Sequence, residues 1–107
     1  MRQTIRLIAA ILLFVACSFT PAWAHKVNLF AYAEGDKVYT ESYFADGQKV
    51  VGGQVEVLDE AGNKLLEGKT DDKGLFAFPL EKKQTLNIIV NAGMGHKNSY
   101  VLKREEM

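Results

Sequence analysis

The sequence has very little cysteine and no recognisable catalytic signature. It carries one cysteine, Cys17, and only two histidines, His25 and His96. One cysteine cannot form an intramolecular disulfide, so packing must stabilise the fold. The sequence contains no nucleophile triad, no paired carboxylates of a hydrolytic cleft and no phosphate-binding glycine loop. The chain is therefore predicted not to be an enzyme.

Long apolar runs are also missing, because the longest, residues 7–19, has only 13 residues. A bilayer span needs about 20. Arg2 and Arg6 precede the run and Ala22-Trp23-Ala24 follows it, which is the order of a secretory signal and its cleavage site. We expect residues 1–24 to be a cleaved signal helix and residues 25–107 to be a periplasmic or secreted domain without a membrane anchor.

A second processing route starts at Cys17. The stretch Phe14-Val15-Ala16-Cys17 is a loose lipobox, and cleavage before Cys17 would leave a lipid-modified cysteine with His25 inside the chain. The two routes differ in the residue that becomes the amino terminus.

The chain has no excess of charge of either sign. Its 13 Lys and Arg balance 13 Asp and Glu, and loss of Arg2 and Arg6 leaves 11 against 13, a net charge of −2. This balance argues against nucleic acid as a partner. The 83 residues left after a 24-residue signal are enough for one small domain.

A helical stripe of ten or more residues is absent, and period-two alternation or short apolar runs take its place. Turn residues such as Gly35-Asp36, Gly62-Asn63 and Gly74 separate the runs. The predicted strands are 27–33, 38–44, 55–58, 65–70, 75–80, 86–91 and 99–103. Seven short strands indicate an all-β, two-sheet sandwich, since a single sheet would leave an apolar face in water.

Two local features refine this prediction. Pro79 lacks a backbone N–H, so it should end a strand or lie on a sheet edge. Ile88, Ile89 and Val90 follow one another, which is typical of a strand at the centre of a sheet. Tyr39, Glu41 and Tyr43 share one strand face, which we interpret as an exposed cross-strand ladder; the alternative is a partner surface.

The strand count places both histidines of the mature chain at one end of the sandwich. If successive strands alternate in direction, the first strand leaves from the end at which the sixth arrives. His25 and the turn Gly93-Met94-Gly95-His96 then share that end. The loops that hold Asp46 and Asp71 belong to the same end by this count.

A histidine at the amino terminus can close a chelate through its amine and its ring Nδ1. We predict a metal site made of these two nitrogens of His25 and a ring nitrogen of His96. Met94 offers a soft sulfur, and Asp46 or Asp71 an oxygen. Such donors suit nickel, cobalt, copper or zinc. The alternative is that His96 is a solvated turn residue, Met94 packs in the turn and Asp71 bonds its own backbone.

Two motifs carry a family resemblance. Gly53-x-Val55-x-Val57-x-Asp59, with Gly62-x-x-Leu65, precedes Gly68-x-Thr70-Asp71-x-x-Gly74-x-Phe76-x-Phe78. Together they resemble the carboxypeptidase regulatory-like domain, which implies a transthyretin-like or Ig-like sandwich. This fold serves as spacer, binding module or adhesion unit, so it does not define a function.

A second resemblance uses both ends of the mature chain. The stretches His25-Lys26-Val27-Asn28, Glu34-Gly35-Asp36, Glu41-Ser42-Tyr43-Phe44 and Gly95-His96-Lys97 resemble the small periplasmic accessory component of energy-coupling-factor nickel and cobalt transporters. The resemblance implies a module that captures nickel or cobalt for a membrane uptake transporter. The alternative function is a structural or protein-docking sandwich of the envelope without a metal role.

Overall fold

Seven strands and their turns make up the structure, a computed structural model that describes residues 26–107. The predicted signal, Cys17 and His25 lie outside the described residues. The strands are β1 (Val27–Glu34), β2 (Lys37–Phe44), β3 (Gln54–Leu58), β4 (Lys64–Lys69), β5 (Leu75–Pro79), β6 (Leu86–Gly93) and β7 (His96–Leu102).

The period-two pattern of the sequence sets which side chains are buried. In β1, Val27, Leu29 and Ala31 are buried, whereas Phe30 and Tyr32 between them are exposed. Successive residues of a strand point to opposite faces, so this alternation turns the apolar set of each strand toward the interior.

The strands form two antiparallel sheets, one of three strands in the order β1-β2-β5 and one of four in the order β4-β3-β6-β7. This confirms the predicted all-β, seven-stranded, two-sheet sandwich. The core between the sheets consists of Val27, Leu29, Ala31, Val38, Val50, Val55, Val57, Phe78, Leu86, Ile88, Val90 and Leu102.

The two local predictions are confirmed as well. Pro79 is the last residue of β5, an edge strand. β6, which contains Ile88 and Val90, lies inside the four-stranded sheet between β3 and β7. Both of these side chains are fully buried, whereas Ile89 on the other face is half-buried.

The β6–β7 hairpin is longer than the sequence indicates. Strand residues reach Gly93 and resume at His96, so His96 belongs to β7 and not to the turn. The turn consists of Met94 and Gly95, whose φ angles are 53° and 82°. Positive φ at both central residues is the requirement of the tight two-residue hairpin turn. The sequence does not predict the first residues of β7, because the polar pair Lys97-Asn98 does not have the composition of a strand.

Within residues 26–107 the only helical element is one 3₁₀ turn at Arg104–Glu106. No helix in this part of the chain has the length and apolar character needed to cross a membrane.

Candidate functional site

One end of the sandwich brings together the start of β1, the end of β2 and the start of β7; we call it the His96 end. Val27 pairs with Phe44 in the β1–β2 register. The Nδ2 amide of Asn98 donates a 2.7 Å hydrogen bond to the carbonyl oxygen of Val27, across the two sheets. The predicted strand directions are therefore confirmed, since β1 and β7 begin at the same end.

His96 is the first residue of β7 and lies at this end. His96 is half-buried. Its ring contacts the Phe44 ring edge to face, with 6.3 Å between the centroids and an interplanar angle of 87°. Burial in β7 alternates so that His96, Asn98 and Tyr100 turn toward the interior. The imidazole is thus directed toward the seam between β7 and the first strands, not out into solvent.

The chain enters the sandwich beside this imidazole. The carbonyl oxygen of Lys26 accepts a 2.9 Å hydrogen bond from the N–H of Ala45, directly after β2. Lys26 is therefore fixed to the loop that follows Phe44, the residue that touches His96. His25, the next residue toward the amino terminus, lies outside the described residues.

Met94 occupies the tip of the β6–β7 turn, two residues before His96. Its side chain is 97% exposed, and its φ of 53° makes it the one non-glycine residue with positive φ in residues 26–107. Unbranched apolar side chains seldom adopt this conformation. The sulfur is therefore held in solvent at the same end as His96 and makes no packing contact that would explain the strained backbone.

Asp46 and Asp71 each use a carboxylate oxygen to build their own turn. Asp46 Oδ1 accepts a 3.0 Å bond from the N–H of Gln48. Asp71 Oδ1 accepts bonds of 2.9 Å from the N–H of Leu75 and 2.8 Å from that of Lys73. Those two amides hold the pKa of Asp71 below its usual value. Such bonds are the turn role that aspartate commonly has.

The predicted ligands of the described residues lie on different elements of the fold. His96 and Met94 belong to one hairpin, and the Asp46 loop follows Phe44, which touches the imidazole. Asp71 precedes β5, the edge strand that lies beyond β2 from β1. In residues 26–107, no three His, Cys, Asp or Glu side chains converge on one point. His25, the other predicted nitrogen ligand, lies outside the described residues.

The outer face of the three-stranded sheet carries exposed aromatic side chains beside Tyr39, a residue of the predicted ladder. Phe30 and Tyr32 of β1 are 48% and 43% exposed, and Tyr32 lies opposite Tyr39 of β2. Their ring centroids are 5.3 Å apart and the rings stack within 20°. The alternation within β1 already indicates that Phe30 and Tyr32 are exposed. The sequence does not give the β1–β2 register, which sets Tyr32 beside Tyr39.

Comparison with known proteins gives one related sequence. No protein-family model matches the chain, and no solved structure matches it. A protein of Haemophilus influenzae described as an uncharacterized protein is 32% identical over 92 residues, which cover 83% of this chain and 57% of the relative. The chain therefore spans little more than half the length of a relative whose own function is open.

Proposed function

We propose that the protein is an exported, non-catalytic module that binds a divalent transition metal, nickel or cobalt before others, for a membrane uptake transporter. The ligands in this proposal are the amine and Nδ1 of His25 and one ring nitrogen of His96. The observation that carries it is the hydrogen bond of 2.7 Å between the Asn98 side chain and the Val27 carbonyl. The bond joins the first residue of β1 to β7 close to His96, which supports the proposal that the residue before Lys26 can share a metal ion with the imidazole.

The chemistry of the donors fits this role. An amine and two imidazoles form a nitrogen-rich set of borderline softness, which suits nickel, cobalt, copper and zinc. Affinity alone would favour copper, so the preference for nickel or cobalt rests on the resemblance of the chain ends to the transporter component. Each donor binds only when deprotonated, and binding should therefore weaken in acid.

Isothermal titration with nickel tests the amine directly. We expect protein that begins at His25 to bind at least about tenfold more tightly than the same protein with the His25 amine acetylated, because acetylation removes that nitrogen from the donor set. His96→Ala should weaken binding as well, whereas Lys97→Ala, its exposed neighbour, serves as the control. Equal nickel affinity with and without acetylation would refute the chelate.

The mass of the exported protein tests the processing step on which the chelate depends. Cleavage after Ala24 leaves His25 first, whereas lipidation leaves a modified Cys17 first. The intact mass separates the two routes in one measurement. A lipid-modified Cys17 would remove the amine donor and with it the proposed site.

A second candidate function is protein docking without a metal. It is favoured by the exposed aromatic side chains on the outer face of the three-stranded sheet, since contiguous exposed apolar surface marks interaction sites. In this case His96→Ala should leave the metal content of the exported protein and metal uptake by the cell unchanged.

A further inference from the structure

The outer faces of the two sheets differ in chemistry although each is turned away from the core. On the three-stranded sheet, seven of the eleven outward strand residues are aromatic or apolar, and we call the surface that they form the aromatic face: Phe30, Tyr32, Tyr39, Tyr43, Leu75, Ala77 and Pro79. The other four are Asn28, Glu34, Lys37 and Glu41. On the four-stranded sheet they are more often polar, namely Gln54, Glu56, Glu67, Lys69, Asn87, Asn91, Lys97 and Ser99, although Leu58, Ile89 and Val101 also face outward there. Core packing does not require this difference, because both faces meet solvent.

The aromatic face contains a slot next to Tyr39. Tyr32 stacks on one side of the Tyr39 ring. On the other side the residue opposite Tyr39 is Ala77, whose methyl group leaves the space above β5 open. The resulting depression has a volume of about 430 Å³, and Leu75 and Phe76 contribute to its lining. Two aromatic rings and a leucine thus surround a short side chain.

The slot also carries negative charge. Glu41 and Asp71 line it, and no lysine or arginine of residues 26–107 does so. Asp71 stays ionised to low pH, since amide hydrogen bonds lower its pKa. Glu41 is 3.7 Å from the Lys49 ammonium, but both side chains are about half exposed, and such pairs are weak enough to exchange for a ligand cation.

The size of the aromatic face limits what can occupy it. Three strands of up to eight residues span roughly 14 by 26 Å, or about 360 Å². A stable dimer buries about 800 Å² on each partner, so the face is too small for a second copy alone. Addition of a strand at the free edge is also disfavoured, because β5 has only five residues and ends at Pro79. A narrow, extended segment that lies across the face fits best.

We propose that this slot binds a basic, proline-rich segment of a partner protein in the polyproline II conformation. A proline ring packs against Tyr39 and Leu75 above Ala77, and an arginine or lysine of the segment places its cation between Glu41 and Asp71. Aromatic-lined grooves recognise proline-rich segments because these are already extended and lose little entropy on binding. A cation in this position gains a cation–π interaction with the aromatic ring and charge-assisted hydrogen bonds to the two carboxylates. The inference specifies the partner class for the docking function and does not depend on the metal site.

The test is an NMR titration of metal-free protein with two synthetic peptides. One contains two arginines among prolines, and the other has glutamates in place of the arginines. We expect the arginine peptide to shift the amide signals of Tyr39, Glu41 and Ala77 and to bind at least about tenfold more tightly than the glutamate peptide. No binding, equal binding of the two, or shifts confined to the four-stranded sheet would overturn the proposal.

Matched variants separate the slot from a general effect on folding. Ala77→Leu fills the slot at an exposed position and should abolish binding, whereas Ser99→Leu adds the same side chain to the polar face and should leave it intact. Glu41→Gln should weaken binding several-fold, and Glu56→Gln on the opposite face should not. Unchanged binding by Ala77→Leu would refute the site. Normal binding by His96→Ala is expected, which keeps this test distinct from the metal titration.

Two other occupants would appear as different results. Dimerisation in analytical ultracentrifugation that Ala77→Leu abolishes would assign the slot to a second copy and overturn the proposal. Binding to vesicles of phosphatidylethanolamine and phosphatidylglycerol that Ala77→Leu abolishes would assign it to a membrane surface, with the same consequence.

Discussion

At the scale of single residues, Thr70 fixes the long loop between β2 and β3. Its buried hydroxyl accepts a 2.8 Å bond from the N–H of Gly53 and donates a 2.5 Å bond to the carbonyl oxygen of Val50. One side chain thus holds both the apolar anchor of the loop, Val50, and its last residue. The loop begins beside Phe44, so Thr70 also supports the His96 end.

Replacement of this hydroxyl should be costly. We expect Thr70→Val to lower the free energy of unfolding by about 1–3 kcal/mol, since two buried backbone groups lose their partner while the side-chain volume is nearly kept. Thr70→Ser retains the hydroxyl and should lose less. Urea denaturation of the three proteins measures the difference, and equal losses for valine and serine would show that the hydrogen bonds do not stabilise the loop.

Met94 is a residue whose backbone conformation favours a different side chain. Its φ is 53°, and asparagine adopts this region at lower cost. Met94→Asn should therefore raise the free energy of unfolding by about 0.5–1 kcal/mol. Thermal unfolding monitored by circular dichroism provides the check, and a loss of stability would mean that Met94 makes contacts the turn needs. A nickel titration of the same variant decides whether its sulfur is a ligand.

At the scale of elements, the sequence predicts the strands well because their burial follows a period of two. All seven strands occur, and β2 and β5 begin within one residue of the predicted positions. The β6–β7 hairpin is the exception, since Met94 does not look like a residue of a left-handed turn. The aromatic face was predicted only in part, as the shared face of Tyr39, Glu41 and Tyr43. Alternation shows that Phe30 and Tyr32 leave the core, but only the register sets Tyr32 beside Tyr39.

Two turns should make the sandwich sensitive to acid. Asp59, before β4, accepts hydrogen bonds from the backbone N–H and the side chain of Asn63, which lower its pKa. The backbone amides of Leu75 and Lys73 likewise lower the pKa of Asp71, which precedes β5. A carboxyl whose pKa is lower in the folded than in the unfolded state stabilises the protein at pH values above the unfolded pKa, which is near 4. That stabilisation is lost as the pH falls through the folded pKa.

We expect the two carboxylates to make the free energy of unfolding decline below about pH 4. Asp59→Asn with Asp71→Asn keeps acceptor oxygens in both turns but removes the titration. This double variant should show a smaller loss of stability between about pH 5 and pH 2 in urea denaturation. An identical acid dependence in both proteins would assign the decline to other groups.

At the scale of the whole molecule, the two sheets meet along a seam between β1 and β7. The seam includes the Asn98 side chain on the Val27 carbonyl and the edge-to-face contact of Phe30 with Tyr100, whose centroids are 5.7 Å apart. Strand parity was enough to predict that both strands begin at one end. It could not predict that the His96 ring packs on Phe44, because side-chain contacts across two sheets depend on packing that the sequence pattern does not determine.

A metal bound by both residue 25 and His96 would link β1 to β7 at the His96 end. We therefore expect nickel, at 100 times its dissociation constant, to stabilise protein beginning at His25 by about 2.7 kcal/mol, which corresponds to a rise in Tm of roughly 10–20 °C for a domain of this size. Hydrogen exchange should slow most at the β1 and β7 amides and least in β4 and β5, which lie on the opposite edges of the two sheets. Protein with an acetylated His25 amine should show neither effect. Equal stabilisation of the two proteins, or protection spread evenly over all seven strands, would mean that nickel binds elsewhere and that the seam is not the metal site.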